Sequence, residues 1–439
     1  MPKKVLRESD LEEIYACVQA GESAQVLGMS GVGKSNHFNN VLDPENIDRH
    51  FDGHEKRPIL VRVNFHYAVD FSPRTVYSLM LEPLEMLGRD PESRQIAAQV
   101  TALHSELLDV GDDMLKVQRI FRQAVRLVMQ DPDQSLFFVF DQFEKMLINA
   151  PARLFANFRG LREEFKYRLG FIIFAQRSLT QLIPEPDPDH DEFLELFQGK
   201  KIGLRPYMIH DAQYSLDRIT ERNAFDIDDA IFPQLYDSSG GHGGLLKAMI
   251  FSICQDSWEL DANLLNHRYI QNECRKIWES LYHSEQLWLN RKIKDKSISA
   301  QDEDFVSAAK ETLLLKGVID KNETLFSPYF ERYVNSKKDY QHALEYDIGT
   351  KTIYIFGEPM EQKLTPREVE VFEFMYARIG DLITANEIAL AIWKSEDSSA
   401  LQAVRSNVSR LRKKVQAGGN QARFITSASA ASGYVLLVD

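Results

Sequence analysis

The sequence has little cysteine and no long apolar run. Its 439 residues include only three cysteines, Cys17, Cys254 and Cys274, which lie far apart without the spacing of a metal site. No stretch of about 18 apolar residues occurs, so we expect no membrane span and no membrane partner. The amino terminus turns charged at once and has no apolar signal core. These absences predict a cytoplasmic protein with reduced thiols.

Basic residues are fewer than acidic residues over the whole chain, but not in every part of it. The formal net charge is −13, which by itself argues against a nucleic-acid-binding protein. Residues 400–417, however, contain five basic residues and no acidic one. Such a stripe can bind phosphates on an otherwise acidic chain. The length predicts about two to four domains, and no repeat array of a sensor type is visible.

A loop near the amino terminus matches the phosphate-binding pattern G-x-x-x-x-G-K-[ST] in full. Residues 24–27 predict a buried strand before it, and the residues from Asn36 onward predict a helix after it. The loop's N–H groups would surround phosphates, Lys34 would reach the β- and γ-phosphates, and Ser35 would bind Mg²⁺. We therefore predict a site for ATP (or ADP) and Mg²⁺. Its residues in the loop and at the start of the helix are Gly28, Ser30, Gly31, Val32, Gly33, Lys34, Ser35 and Asn36.

Two further predicted strands end in residues that suit nucleotide chemistry. The apolar run 135–140 ends at Asp141, which we predict to bind Mg²⁺ and to act in catalysis. Glu144 either orients the attacking water, a role open also to Gln142, or is a solvated acid in the first turn of a helix. Arg177 follows the strand 169–175 and either senses the γ-phosphate or forms a surface salt bridge.

Strands alternate with helical stretches to about residue 205, which predicts an α/β fold with a doubly wound parallel sheet. With the step Leu204-Arg205-Pro206, these motifs resemble the STAND branch of the AAA+-related P-loop NTPases. The resemblance implies that Arg7 lies by the adenine and that Pro206 belongs to the nucleotide site. A Gly-Gly-His turn at 240–242 also matches, with Gly243 where the family often has proline. No arginine finger is evident, which favours a switch over a motor ring.

The carboxyl-terminal residues carry a second set of motifs. They are Leu364-Thr365-Pro366-Arg367-Glu368, Ile392-Trp393, the basic stretch from Val404 to Lys414, Phe424-Ile425-Thr426, and Gly433-Tyr434. Together they resemble the OmpR/PhoB-type winged helix of bacterial response regulators. We therefore predict an NTPase domain at 1–207, a helical lid at 208–290, a bracing winged helix at 291–337, and a DNA-binding winged helix at 343–439.

The basic stretch predicts a helix that reads DNA. Arg405 is the best candidate for a bidentate contact with guanine, and other side chains contact bases or phosphates. The alternative is a solvated basic face on a packed helix. The wing, 427–432, lacks the arginine usual in the family, so Arg423 is the candidate replacement. The predicted DNA-binding residues are Arg405, Ser406, Ser409, Arg410, Arg412, Lys413, Lys414, Arg423 and Thr426.

These features favour a nucleotide-switched regulator of transcription that binds double-stranded DNA. The nucleotide state would alter lid position or homo-oligomerisation in response to an unknown protein or small-molecule signal, and slow ATP hydrolysis would reset the switch. One alternative is a DNA-activated ATPase of a mobile-element, replication or antiphage defence system. Another is a STAND scaffold whose winged helix mediates only protein contacts.

Overall fold

The structure is a computed structural model in which the chain divides into two compact units. The first unit comprises Met1–Ser280 and Leu313–Pro328, and the second comprises Leu281–Thr312 and Tyr329–Asp439. The chain therefore passes between the units three times, after residues 280, 312 and 328. The described residues are 6–53, 57–88, 91–111, 113–182, 188–294, 303–337, 344–355, 358–360, 362–416, 424–428 and 433–438.

The first unit contains a five-stranded parallel sheet in the order β2-β3-β4-β1-β5. This confirms the predicted α/β class with a doubly wound parallel sheet. The strands are β1 (Ala24–Leu27), β2 (Ile59–Asn64), β3 (Leu136–Asp141), β4 (Leu169–Ala175) and β5 (Lys201–Gly203). The helices before and between them are α1 (Glu8–Gln19), α2 (Lys34–Val41), α3 (Pro44–His50), α4 (Pro73–Leu81), α5 (Pro91–Asp109), α6 (Met114–Val128), α7 (Phe143–Asn149), α8 (Ala152–Phe165) and α9 (Pro188–Leu194).

The central strands are buried because their side chains are almost all apolar. Phe138 and Phe140 on β3 stack with Phe171 on β4, with ring centroids 6.3 and 5.9 Å apart. Phe158 on α8 packs against the same Phe171 ring at 5.8 Å. Burying several aromatic rings in one cluster strongly favours this packing. It fixes β3 and β4 side by side, so that their carboxyl ends lie at one edge of the sheet.

The predicted lid is helical and belongs to the same compact unit as the sheet. Its helices are α10 (Ile209–Asn223), α11 (Phe232–Ser239), α12 (Gly243–Asp256) and α13 (Arg268–Ser280). The predicted bracing module is divided between the units. Its hairpin, closed by a bridge between Ile319 and Leu325, lies in the first unit. The predicted domain boundaries stay predictions.

The second unit holds the predicted winged helix. Val404, Val408, Leu411 and Val415, which recur at helical spacing, are buried in its core. Two three-stranded sheets flank the helices, in the orders β6-β7-β8 and β10-β11-β9. The elements are α14 (His283–Ile293), α15 (Glu303–Leu315, ending in the first unit), α16 (Pro328–Asn335), β6 (Leu344–Asp347), β7 (Thr352–Ile355), β8 (Glu358–Pro359), α17 (Pro366–Tyr376), β9 (Ile383–Thr384), α18 (Ala385–Trp393), α19 (Ser398–Gln416), β10 (Ile425–Ala428) and β11 (Gly433–Leu436).

Among the described residues, no helix is both long and apolar enough to cross a membrane. The cysteines Cys17, Cys254 and Cys274 are free thiols. Burial raises the pKa of each thiol above its ordinary value. These cysteines therefore resemble structural residues more than reactive ones.

A buried carboxylate joins α17 to α19. Glu368 completes a capping box with Thr365, and its Oε2 accepts hydrogen bonds from Thr365 N and from Lys414 Nζ, both at 2.7 Å. Burial acts to raise the pKa of Glu368, but the hydrogen bonds from Lys414 and Thr365 outweigh it and hold the pKa below its ordinary value. Glu368 is therefore an ionised side chain that helps to fix the orientation of α19.

We expect Glu368→Ala to destabilise the winged helix by about 3 kcal/mol, because it leaves the Lys414 ammonium without its anion and removes a helix cap. Hydrogen exchange of the α17 and α19 amides in the full chain measures the loss. Glu370→Ala is the matched control, since Glu370 pairs with Arg367 at an exposed position and is worth about 0.5 kcal/mol. Because the folded pKa is depressed, this stabilisation is present above about pH 4.3 and is lost as the pH falls further. Equal losses in the two variants would contradict the assignment.

Candidate functional site

The glycine-rich loop connects β1 to α2 and depends on its glycines. Gly31 and Gly33 have φ angles of 75° and 106°, which favour glycine. A methyl group on Gly33 would come within 2.5 Å of the Tyr207 hydroxyl oxygen. A methyl group on Gly31 would come within 2.0 Å of Glu273 Oε1. Backbone conformation and close packing thus both require glycine, so no side chain at these positions covers the loop's N–H groups.

Lys34 begins α2 and folds back over the start of the loop. Its Nζ donates hydrogen bonds to the carbonyl oxygens of Gly28 at 2.6 Å and Met29 at 2.8 Å. Burial lowers the pKa of Lys34 to about 8, against the opposing charges of Glu144 and Asp141. The next residues, Ser35 and Asn36, are exposed. The loop thus presents an ammonium group and an accessible hydroxyl, which fit a phosphate and its metal ion.

The carboxyl ends of β3 and β4 are joined by a carboxylate. Asp141 is half-buried, and its Oδ1 accepts a hydrogen bond from Gln142 N at 3.0 Å. Glu144 lies in the first turn of α7, and its Oε1 accepts a hydrogen bond from Gln176 N at 2.7 Å. This bracing contact was not evident from the sequence. Roles for Asp141 and Glu144 in catalysis stay predictions.

Arg177 is a buried residue that faces the lid. Its Nη2 donates to the carbonyl oxygen of Glu279 on α13 at 2.7 Å, and its own carbonyl accepts from Gln25 Nε2 at 3.0 Å. Arg177 as a whole residue is 9% exposed, so it does not lie on the surface. Arg177 therefore links the end of β4 to the lid, and its contact with a γ-phosphate stays a prediction.

Arg7 supports the loop from behind. Its Nη1 and Nη2 donate to the carbonyl oxygens of Arg205 and Val32, each at 2.6 Å, and Nη1 pairs with Asp10 at 3.1 Å. The guanidinium also lies 4.2 Å from the centroid of the Tyr207 ring. Val32 itself is fully buried. Arg7 thus makes a brace that sequence reasoning did not describe, while its contact with adenine stays a prediction.

The lid is hydrogen-bonded to the main chain of the loop. Ser30 N donates to Ser280 Oγ at 3.0 Å, and Ser30 O lies 2.8 Å from His242 Nε2. Gly31 O accepts from Gly244 N at 2.9 Å. His242 Nδ1 accepts from Leu245 N, so Nε2 must carry the proton. Burial lowers the pKa of His242 to about 3 and keeps the ring neutral.

A cavity of about 540 Å³ opens beside the loop, between α10 and α12. This volume is in the range of small-molecule sites. Gly31, Gly33 and Asn36 line it, and so does Leu6, whereas Arg7 and the half-buried Pro206 do not. Their contacts with a nucleotide stay predictions. Several lining residues on α10 were not predicted from the sequence. Their four-residue spacing, which places them on one face of the helix, could have indicated them. The lining residues that were not predicted include Tyr207, Tyr214, Arg218, Arg222 and Lys247.

The basic helix α19 presents most of its predicted DNA-binding residues to solvent. Three members contact other protein groups: Arg412 Nη2 donates to Ser427 Oγ at 2.7 Å, Lys414 is bound to Glu368, and Arg410 Nε lies 3.9 Å from Glu368 Oε1. Thr426 is half-buried on β10. Arg423 and residues 429–432 of the wing lie outside the described residues. The exposed members are Arg405, Ser406, Ser409, Arg410 and Lys413.

Low pH should weaken the contact between the lid and the phosphate loop. Protonation of His242 would place a positive charge on a fully buried ring and would remove the Nδ1 acceptor of Leu245 N. Burial, together with the nearby charges of Lys34 and Arg7, lowers the folded pKa of His242 to about 3, below the unfolded value of about 6.5. This stability is fully present above about pH 6.5 and is lost as the pH falls, by about 1 kcal/mol at pH 5.5. Hydrogen exchange of the α12 amides at pH 7.5 and 5.5, corrected for intrinsic rates, measures it. The pH effect should shrink in His242→Asn, and an undiminished effect would refute this origin.

Comparison with known proteins gives one family match and several distant structural likenesses. Residues 359–436 match the family described as "Transcriptional regulatory protein, C terminal". The chain is similar to a Walker-type ATPase of Pyrococcus abyssi (14% identity, 75% of this chain and 95% of that chain covered, TM-score 0.48). It is also similar to the Aeropyrum pernix ORC1 protein in complex with DNA (12%, 76% and 93%, 0.39) and to the OmpR/PhoB homologue DrrB of Thermotoga maritima (19%, 35% and 73%, 0.19). Among proteins with curated descriptions, none matches.

The three TM-scores lie below 0.5, so the fold of the first unit rests on its own features. Those features are a parallel sheet and a complete phosphate-binding loop between β1 and α2. The second unit combines the family match with a winged-helix arrangement of α17, α18, α19 and the β10–β11 hairpin. The chain therefore joins a P-loop NTPase fold to a C-terminal winged helix, of which residues 359–436 match the transcriptional regulatory protein family.

Proposed function

We propose that the chain is an ATP-dependent regulator of transcription, in which a STAND-like NTPase unit controls DNA binding by the carboxyl-terminal winged helix. One observation carries the proposal. A complete phosphate loop that opens on a cavity of about 540 Å³ occurs in the same chain as an exposed basic helix within a transcription-regulator match. Neither feature alone explains the other, whereas a nucleotide-controlled DNA-binding protein needs both.

The nucleotide site would use residues from four parts of the first unit. The loop's N–H groups and Lys34 would bind the phosphates, and Ser35 and Asp141 would hold Mg²⁺. Arg177, at the end of β4, would contact the γ-phosphate. Bound Mg²⁺ would neutralise charge on the phosphates and favour slow hydrolysis, with Glu144 or Gln142 orienting water. The base and ribose would enter the cavity beside Tyr207.

The lid would report the state of the nucleotide. Its hydrogen bonds to Ser30 and Gly31 end on the loop that binds the phosphates. A ligand shifts a conformational equilibrium only by its differential affinity for the two states. A γ-phosphate that contacts Arg177 would also bear on α13, because Arg177 donates to Glu279 O. The nucleotide state would then alter lid position, oligomerisation, or both.

The DNA site would be the exposed face of α19. Arg405 would read a guanine, and Ser406, Ser409 and Arg410 would contact the same groove. Lys413 is exposed and suits a phosphate contact. Lys414 is the weakest of the proposed contacts, since its ammonium is engaged by Glu368. Arg412 is likewise shared with Ser427.

Lys34→Ala should weaken binding of ADP and of a non-hydrolysable ATP analogue by about tenfold or more, because a charge-assisted contact to phosphate is lost. Isothermal titration calorimetry in the presence of Mg²⁺ measures it. Lys200→Ala is the matched control, since Lys200 is an exposed lysine of the same unit that pairs with Glu22. Unchanged affinity in Lys34→Ala would remove the phosphate loop from the nucleotide site.

Arg405→Ala should weaken specific DNA binding by about tenfold or more, as expected for a bidentate contact with guanine. Footprinting on the chain's own promoter region, with ADP and with the ATP analogue, measures it. Arg378→Ala, which changes an exposed arginine that donates to Phe374 O, is the control and should bind as the wild type does.

The footprint also separates the proposal from its alternatives. A regulator should protect a discrete site whose occupancy depends on the nucleotide. Broad binding to any duplex, with DNA-stimulated ATP hydrolysis, would instead favour a DNA-activated ATPase. Absence of DNA binding by a folded wild-type protein would leave a scaffold that makes only protein contacts.

A further inference from the structure

The cavity beside the phosphate loop has a strongly basic side that the loop does not explain. Arg218, Arg222 and Lys247 all line it, and among the described residues its lining contains no aspartate or glutamate. Lys34, which serves the loop, is not one of these three. Within the part of the chain that the structure describes, none of the three forms an ion pair. Three positive charges thus face one concave space without a protein anion.

The three cations are placed by the helices and by aromatic rings. Tyr214, Arg218 and Arg222 follow one another at four-residue spacing on one face of α10, about 6 Å apart along the helix axis. Arg218 lies 6.0 Å from the centroid of the Tyr214 ring. Lys247 lies on α12, 5.5 Å from the centroid of the Phe251 ring. Both rings also line the cavity, so they hold these cations at its walls.

An ordinary nucleoside diphosphate leaves these charges without a role. Its 5′-phosphates would be met by the loop and by Lys34, and its base and ribose carry no charge. The side chains of Arg218, Arg222 and Lys247 are exposed, so water screens their repulsion, and they do not need an anion for folding. Their arrangement on two facing walls is instead that expected for recognition of a second phosphate group.

We propose that this cavity binds a nucleotide that carries a second phosphate group on its ribose, and that Arg218, Arg222 and Lys247 bind that group. The inference rests on the proposed function, because it requires the 5′-phosphates to occupy the loop. It identifies the chemical class of the small-molecule signal. The regulator would respond to a doubly phosphorylated nucleotide in competition with ATP and ADP, at the same site.

The test compares ADP with adenosine 5′-diphosphate 3′-diphosphate, which differ only in the ribose substituent. Calorimetry on the full-length protein should show the second ligand binding about tenfold more tightly or better, and this preference should fall as salt is raised. The double variant Arg218→Gln/Arg222→Gln should lose most of the preference, measured as the ratio of the affinities of the two ligands for that same variant. Arg218→Lys/Arg222→Lys should recover part of it.

Arg275→Gln is the matched control, since Arg275 is an exposed arginine of lid helix α13 that does not line the cavity. It should keep the full preference. Equal affinities for the two ligands in the wild type, or an undiminished preference in the double glutamine variant, would overturn the inference. Equal loss with Arg275→Gln would also overturn it, because the effect would then be one of overall charge. Failure of the wild type to bind ADP would instead defeat the proposed function.

Discussion

The hydrogen bonds between the phosphate loop and the lid are the constraint on which the first unit depends. Ser30 and Gly31 are the loop residues that contact the lid through their main-chain atoms. Main-chain atoms offer the same hydrogen-bonding groups whatever the side chain. The specificity of these contacts therefore comes from the lid side chains, which are the buried neutral His242 and the buried Ser280. Any change in loop geometry on phosphate binding must therefore be accommodated by α12 and α13.

Because His242 is buried, the contact between the lid and the loop is sensitive to small changes in the position of the lid. His242 is fully buried, and its ring packs against Phe326 with centroids 5.5 Å apart. Phe326 follows the hairpin 318–325, and the adjacent Ser327 Oγ donates to Ser238 O at 2.7 Å. The chain enters the second unit directly after this segment. A displacement of the lid would thus also displace Phe326 and Ser327, because both residues are in direct contact with lid residues.

The sequence predicted those parts of the site that are contiguous along the chain. The loop from Gly28 to Ser35, the strand that ends at Asp141 and the buried positions of α19 each follow from one motif or one periodicity. The missing contacts join residues far apart in sequence, such as Ser30 with Ser280 and Glu144 with Gln176. Such pairs depend on how α7 and α13 pack against the sheet. A single sequence holds no periodic pattern that reports this packing.

In the winged helix, too, the sequence alone does not predict which basic residues are engaged inside the protein and which face solvent. Composition treats all five basic residues of α19 alike, yet Lys414 lies against the buried Glu368 whereas Arg405 and Lys413 face solvent. The difference arises because Glu368 caps α17 at the point where α19 crosses it, so the nearest lysine supplies the counter-charge. Lys414 therefore helps to orient the helix, and Arg410 lies 3.9 Å from the same carboxylate. Within the described residues, Arg405 and Lys413 can meet DNA without first breaking an internal ion pair. A basic stripe in a sequence thus marks two different roles, and only burial separates them.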